Sequence, residues 1–229
     1  MVKAYLDDTG AEQFIGFGGF AGKLEAWNAL EPAWVVRNHL HCISEFHAKE
    51  YPKLIPDYVS LALQYDVFLV GYTVDVKSYK EYARRTLRNE FGINEFASAA
   101  AGCAHQIFDW LHWNEDECAL IVECQGEYAA SIIDAINDDA SRRERNPLVS
   151  LTILNEENRS LFPMRQAADL GANLTAKHTA AQHYGLRIEK DLSPQFFERR
   201  HFLGITHCPP DNIERMADVF TDPKWRNFF

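Results

Sequence analysis

Four carboxylates in this sequence stand in apolar surroundings. Asp7 and Asp8 end the run MVKAYLDD just before Thr9-Gly10, Glu123 sits near the end of CALIVEC, and Asp169 lies within FPMRQAADLGANLTAKH. A lone buried carboxylate is costly unless it is paired or binds a metal. Several at the ends of neighbouring strands suggest a shared cation, and an oxygen-only site suits Mg2+ or Mn2+. Two such ions can activate a water and stabilise a leaving oxygen in phosphodiester hydrolysis. Each carboxylate also has a local alternative. Asp7-Asp8 reads as a turn cap, Glu123 as a strand end emerging into solvent, and Asp169 as a helix-start acid favoured by the helix dipole.

Spacing adds detail. Gln166 and Asp169 are three apart and share a helix face, with Asn173 one turn later, while Ala167, Ala168, Leu170 and Leu174 cover the packed side. The stripe Gln166-Asp169-Asn173 is either aimed at a ligand or solvated. Successive side chains on a strand alternate, so Asp7 shares a face with Tyr5 and Asp8 with Leu6. If the late helix packs over the face carrying Asp7, Asp7 is the ligand and Asp8 supports it from the strand end.

Other constellations carry less. His39 and His41 form H-x-H without a third nitrogen or sulfur ligand at useful spacing. Arg84, Arg85 and Arg88, and Arg142, Arg143 and Arg145, read as a phosphate groove or as solvated helix faces. Gly16, Gly18 and Gly22 are one residue too long for a dinucleotide fingerprint. They lie inside a strand-like run, which points to close approach by another backbone. Neither G-x-S-x-G nor H-E-x-x-H occurs.

The elements that must position these residues follow from periodicity. Val2 to Leu6 and Phe14 to Phe20 read as a hairpin, and Lys23 to His39 as a helix that Pro32 would split. His41 to Phe46 reads as a short strand, Tyr51 to Tyr65 as a helix, and Val67 to Val76 as a strand. Ser78 to Asn89 and Phe96 to Trp113 follow as helices. Cys118 to Cys124 is a central strand buried on both faces, Tyr128 to Arg143 a helix, and Val149 to Leu154 a strand. A long helix runs from Phe162-Pro163 to His183. The order predicts a single α/β domain over residues 1–185 with a mixed sheet flanked by helices, and a C-terminal extension over 186–229 packed on it. The tail aromatics Phe196, Phe197, Phe202, Trp225, Phe228 and Phe229 leave two uses open, packing on the domain or a homodimer contact.

With 229 residues, 47% hydrophobic and 24% charged, the chain has apolar material for a real core. There is no run of eighteen apolar residues and no basic-then-apolar N-terminus, so neither a membrane span nor a signal peptide is expected. Five scattered cysteines without a C-x-x-C pair suit reduced thiols in the cytoplasm. A formal net charge of -10 argues against broad attraction to nucleic acid and leaves room for a local basic groove.

AYLDDTG resembles the Tyr-x-Asp-Glu-Ser-Gly opening of the domain-of-unknown-function 3800 family, and MRQAADLGAN resembles its C-terminal Gln-x-x-Asp segment. EFHAKEY looks like its middle segment, and IVECQGE occupies the place of an acidic strand end. The matches come in the family's order and span Ala4 to Lys177. Asp8 stands where the family usually has Glu, and Thr9 where it has Ser. The resemblance implies a ribonuclease-H-like fold in which Asp7, Glu123 and Asp169 hold Mg2+ or Mn2+, with Asp8 as a further ligand or support. It implies that Gln166 orients Asp169 or contacts a phosphate. It makes His47 a proton shuttle or phosphate contact and Glu50 an extra ligand or base, on one face of a helix begun by Glu45 to Tyr51. The activity so implied is a metal-dependent nuclease-like phosphodiesterase acting on RNA or DNA. The alternatives are a non-catalytic nucleic-acid- or protein-binding member of the same fold, and a hydrolase of small phosphate esters.

Overall fold

A computed structural model describes residues 1–81, 94–114, 116–124, 126–155, 157–186 and 191–208. The elements run β1 (Val2–Gly10), β2 (Phe14–Lys23), α1 (Leu24–Leu40), α2 (Ile55–Ala62), β3 (Val67–Asp75), α3 (Glu95–Asn114) and β4 (Cys118–Glu123). They continue with α4 (Ala129–Ser141), β5 (Leu148–Leu154), α5 (Arg165–His183), α6 (Pro194–Glu198) and β6 (Phe202–Cys208). The strands form one sheet in the order β5-β4-β1-β2-β3-β6. β1, β2 and β3 are an antiparallel meander; β4 runs parallel to β1, β5 parallel to β4, and β6 parallel to β3. This is a ribonuclease-H-like mixed sheet flanked by helices. Among the described residues no helix is long and apolar enough to cross a membrane.

Two cores sandwich the sheet. On one face Ala4, Leu6, Phe17, Leu120 and Val122 pack with Ala100, Ile107 and Phe108 of α3 and Ile132 of α4. On the other, Tyr5, Phe20, Leu69 and Ile121 pack with Trp27 and Trp34 of α1, Tyr58 of α2, and Ala167, Leu170 and Leu174 of α5. The parity is therefore settled: odd positions of β1 and β4 face α5, even positions face α3 and α4.

The glycines of β2 and β3 explain how closely α5 lies. A Cβ at Gly18 would meet Thr175 Oγ1 at 2.4 Å and the Gly171 carbonyl at 2.8 Å, and one at Gly171 would meet Gly19 Cα at 2.5 Å. Helix and sheet are in backbone contact there, the close approach that glycine permits.

Several sequence expectations need correction. β1 continues to Gly10, so Asp7 and Asp8 lie inside a paired strand and cap no turn. α1 runs unbroken through Pro32. Residues 41–46 are not a strand: Cys42 has a φ of 56°, and the Cys42 and Ile43 amides turn back to His39 and Asn38. α5 begins at Arg165, after a tight turn in which the Arg165 and Gln166 amides donate to Phe162 and Pro163. Part of the C-terminal extension belongs to the sheet itself. β6 pairs with β3, and Leu192 and Phe196 are buried in the α5-side core. The segments holding Arg84, Arg85 and Arg88, and Trp225, Phe228 and Phe229, lie outside the described residues, as does most of the expected Ser78 to Asn89 helix.

Candidate functional site

One row of the sheet organises the site. Across the strands, Leu154 of β5, Glu123 of β4, Asp7 of β1, Gly18 of β2 and Gly71 of β3 are successive partners in register. Glu123 and Asp7 are thus adjacent on parallel strands and share the face covered by α5. Gly18 and Gly71 give Thr175 of α5 its seat, since a Cβ at either would lie within 2.4 Å of the Thr175 hydroxyl. Asp169 is six residues earlier on the helix and comes down towards Asp7.

The electrostatics of these groups follow from their proximity. Burial pushes the Asp7 carboxyl well above the usual carboxylate range, and the negative charges of Glu123, Asp8 and Asp169 push it further; one hydrogen bond from the Asp8 amide opposes them. Burial also raises Asp169, against the Ala48 N–H and the nearby positive groups of His47, Lys49 and Arg165. Asp8, on the opposite parity, is raised by burial and relieved by Lys49 and by its own amide. The Cys124 thiol beside them is pushed up to about 11, by burial and then by Asp8, Asp7 and Glu123, and stays protonated.

The segment 44–50 is held over Asp169 by α5. Gln166 is buried at 6% exposure, and its Oε1 accepts from Phe46 N at 2.7 Å and Asn38 Nδ2 at 3.0 Å. Asn38 Oδ1 in turn accepts from Tyr58 Oη. Ala48 N donates to Asp169 Oδ2 at 2.6 Å. The Phe46 and Ala48 amides are given to α5 side chains, and the segment runs through a bend at 44–45 and a turn at 48–50, not the expected helix. His47 therefore reaches the cluster by a loop, with Nδ1 3.8 Å from Asp169 Oδ2 and Nε2 3.6 Å from Glu45 Oε2. Glu50 is exposed, and its part in the segment is its backbone N–H, which donates to the His47 carbonyl.

Of the residues singled out by sequence, Asp7, Glu123 and Asp169 gather on one face with His47 at the rim. Asp8 flanks them from the other side of β1. Gln166 serves the fold of the 44–48 segment, a role its motif spacing did not suggest. Asn173 follows Asp169 by one turn, and its Oδ1 is buried without a hydrogen-bond partner. Sequence reading missed Arg165, Glu45 and Lys49. Arg165, 5% exposed, hydrogen-bonds Glu45 and has Nη1 3.9 Å from Glu123 Oε1. Its signal was present, since Arg165 and Asp169 are four apart on one helix face. Arg142, Arg143 and Arg145 form ion pairs with Asp138, with Asp109 and Asp139, and with Glu117, and His41 pairs with Asp57.

The donor set tests the implied metal. Asp7, Glu123 and Asp169 offer only oxygen, and the buried negative charge at Asp7 calls for a cation or a proton. Among the described residues no three His, Cys, Asp or Glu side chains stand close enough to hold one ion as placed. The donor chemistry fits a hard divalent ion; the side chains as arranged do not form a ready ligand shell. No family model matches this chain, and no curated protein matches it.

Proposed function

We propose that this chain is a divalent-metal-dependent, nuclease-like phosphodiesterase of the ribonuclease-H-like type, with the site at Asp7, Glu123 and Asp169. The observation that carries this reading is the buried, multiply repelled Asp7 carboxylate, flanked in register by Glu123 and covered by Asp169. Such a charge has no structural purpose that an apolar residue would not serve better.

A bound Mg2+ or Mn2+ would supply water activation and stabilisation of the leaving oxygen. Asp7 and Asp169 would hold the ion from strand and helix, and Glu123 would complete the set. Asp169 is oriented by the Ala48 amide, and the segment carrying that amide is fixed by Gln166. Asp8 supports the strand end. His47, within 4 Å of Asp169 and Glu45, is placed to carry a proton or meet a phosphate oxygen. Nucleic acid, RNA or DNA, is the substrate class of this reading, and exposed Lys49, near Asp8 and Asp169, is the cation available to a phosphate. The five free thiols support a reducing, cytoplasmic setting.

The test combines binding and turnover. Labelled RNA, DNA and hybrid duplexes are incubated with Mg2+ or Mn2+, and thermal unfolding is followed during Mn2+ titration. Cleavage and Mn2+ stabilisation are expected in the wild type and lost in Asp7→Asn and Asp169→Asn. An equal metal response in all three proteins refutes the site. A second reading, a binding module that keeps the fold without turnover, is favoured by the net charge of -10 and by the lack, among the described residues, of three side chains arranged to hold an ion. It predicts no cleavage with either ion and partner binding that survives Asp7→Asn.

A further inference from the structure

A strand edge that faces water offers unpaired N–H and C=O groups to another chain, and folded proteins blunt such edges with charge, proline, bulges or a covering element. β5 forms one edge of the sheet, and among the described residues it pairs only with β4. Its sequence, LVSLTIL, holds no charge, proline or glycine. The register against β4 shifts at its start, and there Val149 is 57% exposed with Ser150 exposed beside it. Leu151 and Ile153 pack only in part against the core on the α3 and α4 side. At the far end Asn158 Nδ2 donates to the Ile153 carbonyl at 3.0 Å. A carbonyl has a second lone pair, so this bond does not close the edge.

We propose that β5 pairs with β5 of a second copy of this chain, antiparallel across a twofold axis at Leu151, joining two sheets into one. Charge selects both the partner and the direction. The chain enters β5 from Arg142-Arg143-Glu144-Arg145 and leaves it into Asn155-Glu156-Glu157-Asn158. A parallel pair would set like charges side by side at each end, which is repulsive. The antiparallel pair puts the basic entry of one copy beside the acidic exit of the other. Leu151 is the midpoint of Leu148–Leu154. Centring there sets Val149 opposite Ile153, Ser150 opposite Thr152, and Arg145 level with Glu157. The Arg145 side chain is 60% exposed even while it bonds Glu117 at 3.1 Å, and a guanidinium with five donors can serve a second carboxylate. Glu157 is exposed. The contact is isologous, so each copy's β5 edge is filled by the other and the pairing stops at two. An uncharged edge is thereby satisfied without the blunting devices that its sequence lacks.

The experiment weighs the full chain. Sedimentation and light scattering follow its mass over about 1–200 µM, the range of a small, non-obligate interface. The wild type is expected to be a dimer that dissociates within this range. Ser150→Lys combined with Thr152→Lys sets lysine opposite lysine across the pairing and is expected to weaken it at least about tenfold. Circular dichroism establishes that each variant is folded. Arg145→Glu and Glu157→Arg each place like charges together and are expected to weaken the dimer about threefold, while the double exchange restores it. The double exchange leaves the Arg145–Glu117 pair broken, so recovery reports the contact between copies. A wild type that stays monomeric throughout overturns the inference. A dimer that the folded lysine variant leaves intact overturns it too, as do assemblies larger than two. Should the lysine variant not fold, the exchange series decides: recovery in the double variant upholds the pairing, and no recovery overturns it.

Discussion

Replacing Gly171 by alanine tests the contact on which the site's geometry depends. In an ordinary helix interior the change would stabilise, because alanine is better than glycine there by about 0.8–1.0 kcal/mol. In α5 the new Cβ would lie 2.5 Å from Gly19 Cα and 2.8 Å from Gly19 N and C. Carbon atoms rest at roughly 3.5–4.0 Å, so the helix must retreat by about 1 Å. The obstacle is strand backbone, which cannot swing away as a side chain can. Overpacking costs about 1–3 kcal/mol, and a rigid obstacle puts this site at the upper end; after the propensity gain about 2 kcal/mol of destabilisation remains. For a chain of this size that lowers Tm by about 4–8 °C. Asp169, two residues earlier, is lifted with the helix away from Asp7, so the Mn2+ response should weaken as well. Thermal and urea unfolding with and without Mn2+ measure both. Gly126→Ala is the control, since a Cβ there meets nothing within 4 Å. An unchanged or raised Tm for Gly171→Ala would refute backbone contact between α5 and β2, and with it the account of how Asp169 is brought over the sheet.

Three further outcomes are expected. Asp7→Asn should raise the stability of the metal-free protein while abolishing its Mn2+ response. The fold favours the protonated Asp7 carboxyl, so that stabilisation is present in acid and is lost as pH rises through the raised value. The advantage of Asp7→Asn should therefore grow from acid to mildly alkaline pH, and a gap that shrinks instead contradicts the burial of this charge. Gln166→Ala strands the Phe46 amide and leaves Asn38 Nδ2 only the Ser44 carbonyl at 3.4 Å, and should cost about 2 kcal/mol in urea unfolding, at 1–3 kcal/mol per unsatisfied buried group; a loss under about 0.5 kcal/mol would show that the segment holds itself. His207, bonded to Thr73 and stacked near His183, is pushed down to about 4 by burial and by His183. It contributes stability above its ordinary 6.5 that is lost as pH falls towards 4, and His207→Gln should flatten that part of the acid profile. A wild-type and variant difference independent of pH would count against it.

Period and composition carried a good deal of this protein. Strand-forming composition marked Val67 to Val76 and a continuous apolar run marked Cys118 to Cys124, close to the strands Val67–Asp75 and Cys118–Glu123, and helical spacing marked α3, α4 and α5, because those signals come from neighbours on one element. The parity argument placed Asp7 on the Tyr5 face before any partner strand was known. Where sequence reading erred, the cause was a partner distant in the chain. Residues 45–51 looked helical, yet the Phe46 and Ala48 amides are bound by Gln166 and Asp169, some 120 residues away. FLGITHC, read only as part of an extension packed on the domain, became β6 because the edge of β3 was there to pair with it.

The types of the site residues were thus set by the sequence, and their roles by the fold. Nothing local distinguishes Gln166, which faces inward to hold a loop, from Asp169, which faces the sheet beside Asp7. Nothing local marks Arg165 as the cation of Glu123. Those assignments depend on which helix face lies down, and that was decided by a stripe of glycines on two strands that lets α5 touch the sheet backbone. Side-chain periodicity is a property of one segment, whereas electrostatic partnership depends on distances between segments, which exist only once the layers are packed.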